Sequence, residues 1–168
     1  RGEALYSIAS VSDVLLQSRT RDNDAGWEIH LRGNKRLKSA PAGVSYGTTL
    51  EIRELFFNTP ARRKFLKSDT TETNEIIDVF MPYALLYPGK EFKLVSNGKV
   101  LLELEKHDSH RQRMAAALNL ESKNLIETEK IFPQERLNIH LVLGNINLQR
   151  KRRDMQFIFV NGRPVSSK

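Results

Sequence analysis

Three turn signals, each beside runs of alternating apolar and polar residues, constrain the fold of this chain more than any other feature. They are the dipeptides Gly33-Asn34, Asn97-Gly98 and Asn161-Gly162. Glycine and asparagine tolerate the positive φ angles that two-residue hairpin turns require. We therefore expect β-hairpins in both halves of the chain. The predicted strands are 8–18, 27–32, 35–38, 48–53, 92–96, 99–104, 137–143 and 155–160.

Helical patterns lie between these strands. Asp69 followed by Glu72 indicates a helix N-terminus, and apolar residues then recur at helical spacing. Pro82 lies inside that pattern, and because proline removes a backbone hydrogen bond we expect a kink or two short helices. Ser109 with Gln112 predicts a capped helix to about residue 120. Strands and helices in this arrangement predict an α+β protein of two units joined near residue 60.

Composition excludes several classes of protein. Of the 168 residues 39% are hydrophobic and 28% charged, which is typical of a globular intracellular protein, and no apolar run reaches the ~20 residues of a membrane span. The chain has no cysteine, which excludes disulfides and thiolate metal sites. Its four histidines show no metal-ligand spacing, so we predict isolated histidines and no metal site. These are His30, His107, His110 and His140.

The net charge of +7 is concentrated in two runs. The first run contains Arg62, Arg63, Lys64 and Lys67, and the second contains Arg150, Lys151, Arg152 and Arg153. A solvated face explains many charge runs, but two runs without interspersed acids favour a polyanion partner. A nucleic-acid phosphate backbone is the leading candidate.

No catalytic centre is predicted. The sequence shows no carboxylate pair at catalytic spacing and no Ser-His-Asp set. The segment 43–49 has glycine and threonine but lacks the lysine of a P-loop. We therefore assign no catalytic residue to this chain, and an enzyme built from it alone is not expected.

Four motifs, in order and at characteristic spacing, resemble the MutL family of DNA mismatch-repair proteins. They are RGEAL at 1–5, GTTLEIRELFFNTPARRKFLK at 47–67, SNGK at 96–99 and FVNGRPV at 159–165. The resemblance spans essentially the whole chain. It implies an ATPase of the group that also contains DNA gyrase B and a heat-shock chaperone, coupling ATP binding and hydrolysis to dimerisation and DNA binding.

The resemblance also implies a domain plan. Residues 1–60 would be the C-terminal part of an α/β-sandwich ATP-binding domain, mainly strands, and 61–168 a transducer domain of a mixed sheet with packed helices. The magnesium-binding asparagine and catalytic glutamate of the family would precede this stretch, and its γ-phosphate lysine would follow it. ATP and Mg²⁺ are thus expected in an intact parent protein, a weak ATPase, whereas this fragment alone is expected to be inactive and to bind neither well.

Candidate contact residues follow from the same resemblance. Those for ATP are Arg1, Gly2, Glu3, Ala4, Leu5 and Thr48. An ordinary helix start explains Glu3, Ala4 and Leu5 equally well. Those for DNA are Arg62, Arg63, Lys64, Lys67, Arg150, Lys151, Arg152, Arg153, Arg163 and Lys168. Helical spacing places Arg63 and Lys67 on one face, and Phe56, Phe57 and Phe65 are predicted as core.

The expected partners are DNA, bound with little sequence preference, a mismatch-recognition protein of the MutS family, and a second copy or a paralogue. No membrane partner is expected, and the location would be the bacterial cytoplasm or the eukaryotic nucleus. Two alternatives stay open. One is a stand-alone basic nucleic-acid-binding module. The other is the transducer region of another ATPase of the gyrase B group, which the NTPARRKF run disfavours.

Overall fold

The computed structural model describes residues 3–149, 151 and 155–165. It divides into two compact units, Arg1–Lys67 and Ser68–Lys168. Each unit combines helices with antiparallel strands, so the predicted α+β class is confirmed. The functional boundary predicted at residue 60 stays a prediction. In the part of the chain that the structure describes, no helix is both long and apolar enough to cross a membrane.

Unit 1 consists of a short helix, a four-stranded antiparallel sheet in the order β3-β2-β1-β4, and a second short helix. The elements are α1 (Ala4–Ala9), β1 (Asp13–Arg19), β2 (Gly26–Arg32), β3 (Lys35–Ala42), β4 (Gly47–Arg53) and α2 (Pro60–Lys64). The predicted strand 8–18 is wrong at its start, because Ile8 belongs to α1. The apolar residues there fit a helix that buries Ala9, and the Ser12 hydroxyl donates to the Ile8 carbonyl just after the helix ends.

One face of the unit 1 sheet is apolar. The register places Val14 opposite Ile52 and Leu16 opposite Leu50, as the predicted alternation of β4 requires. Val14 is buried, whereas Leu50 and Ile52 remain 41% and 43% exposed. Within unit 1, this face is therefore only partly covered.

Turns are present at all three predicted dipeptides, and the one at Asn161-Gly162, predicted only as the end of a strand, also closes a hairpin. Both residues of each dipeptide have positive φ, with Asn97 at 50° and Gly98 at 76° in the best-patterned hairpin. These angles identify the turn type whose twist matches paired antiparallel strands. The turn chemistry read from the sequence therefore fixes three strand pairings.

Unit 2 begins with α3 (Asp69–Leu86) and continues through alternating hairpins and one further helix. The remaining elements are β5 (Phe92–Ser96), β6 (Lys99–Leu104), α4 (His110–Leu118), β7 (Leu125–Phe132), β8 (Leu137–Gly144), β9 (Ile158–Val160) and β10 (Arg163–Val165), with 3₁₀ turns at Ser122–Asn124 and Ile146–Leu148. A mixed sheet is the expectation for this region. Among the described residues, however, β5 pairs with β6, β7 with β8 and β9 with β10, all antiparallel.

Helix α3 corrects one prediction. Pro82 lies within a continuous helix of 18 residues, so of the two expected outcomes the two short helices are excluded, whereas the kink stays a prediction. The residues after the proline are anchored, since Ala84 is fully buried and Leu85 is nearly so. Burial of that last turn favours continued helix despite the hydrogen bond that proline cannot make. At the other end, the Ser68 hydroxyl caps the helix by accepting from the Thr71 backbone N–H.

The second helix of unit 2 is tied to its surroundings by an arginine. Arg113 of α4 is fully buried, and its Nη2 donates to the Pro88 carbonyl at 2.6 Å and to the Lys90 carbonyl. The guanidinium also lies 5.7 Å from the Phe92 ring centre. Burial lowers the pKa of Arg113 from its usual value, although a guanidinium stays protonated in proteins. Arg113 thus fastens α4 to the segment that follows α3.

Two of the histidines predicted to be isolated are in contact. The rings of His110 and His140 lie 4.7 Å apart in an edge-to-face arrangement. Their separation of 30 positions hides this contact, because only the pairing of β7 with β8 and the packing of α4 bring the rings together.

Candidate functional site

Thr48, the predicted nucleotide contact, lies on the edge strand β4. The register places it opposite Ser18 of β1, and the two hydroxyl oxygens are 2.8 Å apart. Gly47 before it has a φ of +115°, a backbone conformation that side chains disfavour. A pair of hydroxyls shares one hydrogen and keeps a second donor and several lone pairs. The hydroxyls of the exposed Thr48 and of Ser18 can therefore contact a phosphate oxygen or hold a water molecule.

Ser18 is a member of this site that sequence reasoning misses. Serine on a strand carries no signal of its own, and its position opposite Thr48 depends on the register between β1 and β4. That register spans a separation of 30 residues, so it cannot be read from either strand alone.

The predicted ATP contacts Glu3, Ala4 and Leu5 form a helix start. Ala4 and Leu5 are exposed in the first turn of α1, and the carbonyl of Glu3 accepts from the Ser7 backbone N–H. Among the described residues, no hydrogen bond joins any of these three predicted contacts to Thr48. Arg1 and Gly2 lie outside the described residues. The structure therefore shows the helix start at these residues. Their contact with a nucleotide stays a prediction.

The polar face of the unit 1 sheet carries an ion-pair network centred on Asp13. Its carboxylate accepts from His30 Nε2 at 2.8 Å and from Arg32 Nη1 at 3.0 Å. The hydrogen bond from His30 lowers the pKa of Asp13; burial opposes this, and Arg32 lowers the pKa further. Asp13 is thus held as a carboxylate and is a poor proton acceptor near neutral pH.

The other sheet carboxylates are engaged in the same way. Glu28 accepts from Lys38, which lowers the pKa of Glu28 with help from a hydrogen bond donated by Gln17. Glu51 pairs with Arg53, and Glu54 pairs with Arg32. Because each of these carboxylates faces a cation, none is arranged as a general base for water activation.

The first basic run surrounds the short helix α2, which starts with a proline at its first position and ends at Lys64. We call Arg62, Arg63, Lys64 and Lys67 the basic segment; all four residues are exposed. Lys67 lies beyond the helix, so the prediction that Arg63 and Lys67 share a helical face is wrong. Phe65 caps the C-terminal end of α2, and the chain continues from it without regular structure.

The cations of α2 differ from the described lysines and arginines that pair with carboxylates, such as Arg32, Lys38 and Lys93. Within the described ranges, Arg62, Arg63 and Lys64 form no ion pair. By contrast, Lys38 pairs with Glu28 at 2.9 Å and Lys93 pairs with Glu103 at 2.7 Å. Three adjacent cations that no described carboxylate pairs with leave a local positive field that a polyanion can neutralise.

The three phenylalanines predicted as core differ in burial. Phe56 and Phe57 are partly buried, with the Phe56 N–H donating to the Val11 carbonyl and Arg32 lying 4.7 Å from the Phe57 ring centre. Phe65 is 84% exposed, so its prediction as core is wrong. Phe65 lies just after the last residue of α2, where the chain continues without regular structure.

The structure describes only two of the remaining DNA candidates, which are the second basic run together with Arg163 and Lys168. Lys151 and Arg163 are exposed, and Arg163 begins β10 directly after the turn at Asn161-Gly162. The rest of the group, Arg150, Arg152, Arg153 and Lys168, lies outside the described residues. Among the described candidates for DNA contact, the cations of the first run lie together through their neighbouring positions in the chain.

Comparisons of the sequence with known proteins agree on one family. A family profile described as "DNA mismatch repair protein, C-terminal domain" matches residues 115–168. DNA mismatch repair protein MutL of Thermodesulfovibrio yellowstonii is 41% identical over 98% of this chain. MutL of Pseudomonas syringae pv. tomato is 41% identical over the whole chain. The chain spans only 30% and 26% of the lengths of these two relatives.

The fold is similar to that of solved structures as well. The Aquifex aeolicus MutL ATPase domain complexed with ADP superposes with a TM-score of 0.82 at 34% sequence identity. That match covers 99% of this chain and 63% of the solved one. Both units are therefore built as the corresponding parts of that ATPase domain are.

Proposed function

Because the chain belongs to the MutL family of DNA mismatch repair proteins, we propose that it forms the part of a mismatch-repair ATPase that joins the nucleotide pocket to DNA. Unit 1 contributes one edge of the pocket through Thr48, and the basic segment contacts the DNA backbone. The ADP complex of the similar Aquifex aeolicus domain supports the nucleotide assignment. The exposed charge of the basic segment supports the DNA assignment.

The contribution to the nucleotide site is binding rather than hydrolysis. The hydroxyls of Thr48 and Ser18 fit a phosphate oxygen or a bridging water, since they offer both donors and acceptors. Bound ATP would supply the reactive phosphoanhydride and bring Mg²⁺ with it. The ion-paired carboxylates of the sheet do not fit a metal or a water-activating role, so this chain alone is expected to turn over no ATP.

The observation that carries the DNA assignment is the set of three adjacent exposed cations, Arg62, Arg63 and Lys64, for which no described carboxylate forms an ion pair. Such cations contact phosphates, which are the same at every base pair, so binding has little sequence preference and a steep salt dependence. Phe65 lies exposed among them and can stack on an unpaired base. Lys67, Arg163 and the cations of 150–153 would extend the contact.

The wider proposal follows the family. The parent protein would act with a mismatch-recognition protein of the MutS family and dimerise with a second copy or a paralogue. Its location would be the cytoplasm of a bacterium, in line with the bacterial relatives. ATP binding and hydrolysis would control both dimerisation and DNA binding.

Charge reversal tests the DNA assignment. The variant carrying Lys64→Glu and Arg152→Glu and the unchanged chain are titrated with a fluorescent duplex between low and moderate salt. Each lost phosphate contact should flatten the slope of log K against log salt by about 0.9, hence by about 1.8 for two. The control carries Lys106→Glu and Lys123→Glu, which change the net charge equally at cations that pair with carboxylates. Equal slopes for the unchanged chain and the Lys64/Arg152 variant refute the assignment.

Removal of one hydroxyl tests the nucleotide assignment. Thr48→Val keeps the shape of the side chain but neither donates nor accepts a hydrogen bond. Saturation-transfer NMR with millimolar ADP should show a weak signal that drops in this variant. Thr49→Val is the control, since Thr49 lies on the opposite face of β4 and pairs with Gln17. A larger drop for Thr49→Val than for Thr48→Val contradicts the role of Thr48.

A further inference from the structure

Two histidines and a glutamate from three separate elements converge in unit 2. His110 is the first residue of α4, Glu127 lies on β7 and His140 lies on β8. One ligand atom from each residue lies within 4.8 Å of the other two. No part of the proposed DNA or nucleotide function uses these side chains.

The outer contacts of this trio leave its ligand atoms directed at one another. The Arg111 backbone N–H donates to Glu127 Oε2 at 3.2 Å, while Oε1 faces the histidines. His110 Nε2 donates to the Leu86 carbonyl at 3.3 Å, so its Nδ1 carries the free lone pair, 3.9 Å from Glu127 Oε1. Metal-binding histidines in proteins are commonly oriented by such a hydrogen bond from the other ring nitrogen.

The distances match an open metal site before metal binding. His140 Nε2 donates to Glu127 Oε1 at 2.9 Å, and binding of an ion at Nε2 requires this proton to move to Nδ1 of the same ring through solvent, which leaves the imidazole neutral. Bonds of about 2.0 to 2.2 Å around tetrahedral Zn²⁺ place ligand atoms roughly 3.3 Å apart, so small side-chain movements complete the geometry. The three side chains are 38%, 22% and 36% exposed, which leaves a path for the ion and room for a water as fourth ligand.

We propose that His110, Glu127 and His140 form a binding site for a divalent transition-metal ion, with Zn²⁺ as the best fit. Two imidazoles and one carboxylate suit Zn²⁺, Ni²⁺ and Cu²⁺, whereas Mg²⁺ and Ca²⁺ prefer oxygen ligands alone. A bound ion joins the N-terminus of α4 to the β7-β8 hairpin. Because the ligands lie 13 to 30 positions apart, the site exists only in folded unit 2, and metal binding stabilises that unit.

Calorimetric titration of the metal-free 168-residue chain with ZnCl₂ tests the proposal. We expect one ion bound per chain, together with a rise in the thermal midpoint of the helical circular dichroism signal. Glu127→Gln and His140→Ala should each weaken binding more than about 100-fold, because loss of an outer-shell partner alone costs about 10- to 100-fold. The control His30→Ala removes a histidine of unit 1 and should leave the affinity unchanged.

A second measurement guards against variants that fold poorly. Co²⁺ added to the unchanged chain should give the visible bands of a four- or five-coordinate ion, and one equivalent of Zn²⁺ should abolish them. Absence of saturable binding to the unchanged chain overturns the proposal. So does Zn²⁺ affinity that persists in folded Glu127→Gln and His140→Ala, since the ion would then bind elsewhere and the trio would be only a hydrogen-bonded contact.

Discussion

Replacement of Arg113 should destabilise unit 2 without affecting unit 1. Arg113 is a fully buried cation whose Nη2 donates to two backbone carbonyls, those of Pro88 and Lys90. Arg113→Ala leaves both carbonyls without their donor, at a cost of about 1 to 3 kcal/mol each, and opens a cavity. Part of this loss is offset because a buried charge disappears.

Removal of the buried guanidinium charge offsets only part of the stability lost in Arg113→Ala. Among the described residues, Nε and Nη1 of Arg113 have no hydrogen-bond partner, so the guanidinium is itself incompletely satisfied. We therefore place the net loss for Arg113→Ala near 3 kcal/mol, at the lower end of the summed costs. That loss is a large fraction of the ~5 to 15 kcal/mol that stabilise a typical domain.

The two units offer separate signals for the assay. Trp27 is the single tryptophan and lies in unit 1, whereas the longest helices, α3 and α4, lie in unit 2. Urea unfolding followed by circular dichroism at 222 nm should shift to lower urea in Arg113→Ala. The transition followed by Trp27 fluorescence should stay in place.

Two further variants separate hydrogen bonding from packing. Arg111→Ala removes an exposed arginine from the same helix and should change the free energy of unfolding by less than about 0.5 kcal/mol. Arg113→Met fills much of the space but donates no hydrogen bond, and should still lose about 2 kcal/mol. Wild-type stability in Arg113→Met would refute the reasoning. Packing alone would then account for the contribution of Arg113 to the free energy of unfolding.

Other predictions concern pH, turns and caps. In the folded state the hydrogen bond from His30 lowers the pKa of Asp13, burial opposes this, and Arg32 lowers the pKa further. The Asp13 carboxylate therefore stabilises unit 1 at pH values above its unfolded pKa near 3.9. This contribution is lost as the pH falls through the folded pKa. Asp13→Asn should therefore flatten the acid dependence of the urea midpoint seen by Trp27 fluorescence, whereas Asn at the exposed Asp22 should leave it steep. Gly98→Ala should cost about 1 kcal/mol because Gly98 has a φ of +76°, and Gly89→Ala, also in open space but without positive φ, should cost less; equal losses would contradict the turn assignment. Ser68→Ala should lower the stability of unit 2 by about 0.5 to 2 kcal/mol through loss of the α3 cap, and an unchanged midpoint at 222 nm would argue against that cap.

Local chemistry made much of this fold predictable. Asn97-Gly98 and Gly33-Asn34 each specify a tight turn through their tolerance of positive φ, and the structure has that turn at both places. Ser109 is predictable as a helix cap for a different local reason, since its hydroxyl accepts from the Gln112 N–H three positions later. These features depend on residues close together in the chain.

Features that depend on distant residues were missed or misassigned. Strand β7 has the polar stretch Glu127 to Lys130 in its middle, which hides its pairing with β8. Helix α2 ends at Lys64 and Phe65 is exposed, although a phenylalanine at this joint is predicted as core. The contact of Ser18 with Thr48 likewise depends on a register between separated strands.

Lysine protection on DNA tests the central claim most directly. The chain is acetylated briefly with and without a saturating duplex, and modification at each lysine is read by mass spectrometry. Lys64 and Lys67 should become protected by DNA, because the proposed function places them on the phosphate backbone. Lys106 and Lys123, exposed but paired with carboxylates, should be modified at unchanged rates. Protection of Lys106 or Lys123 with no protection of Lys64 would contradict the assignment of the basic segment to DNA.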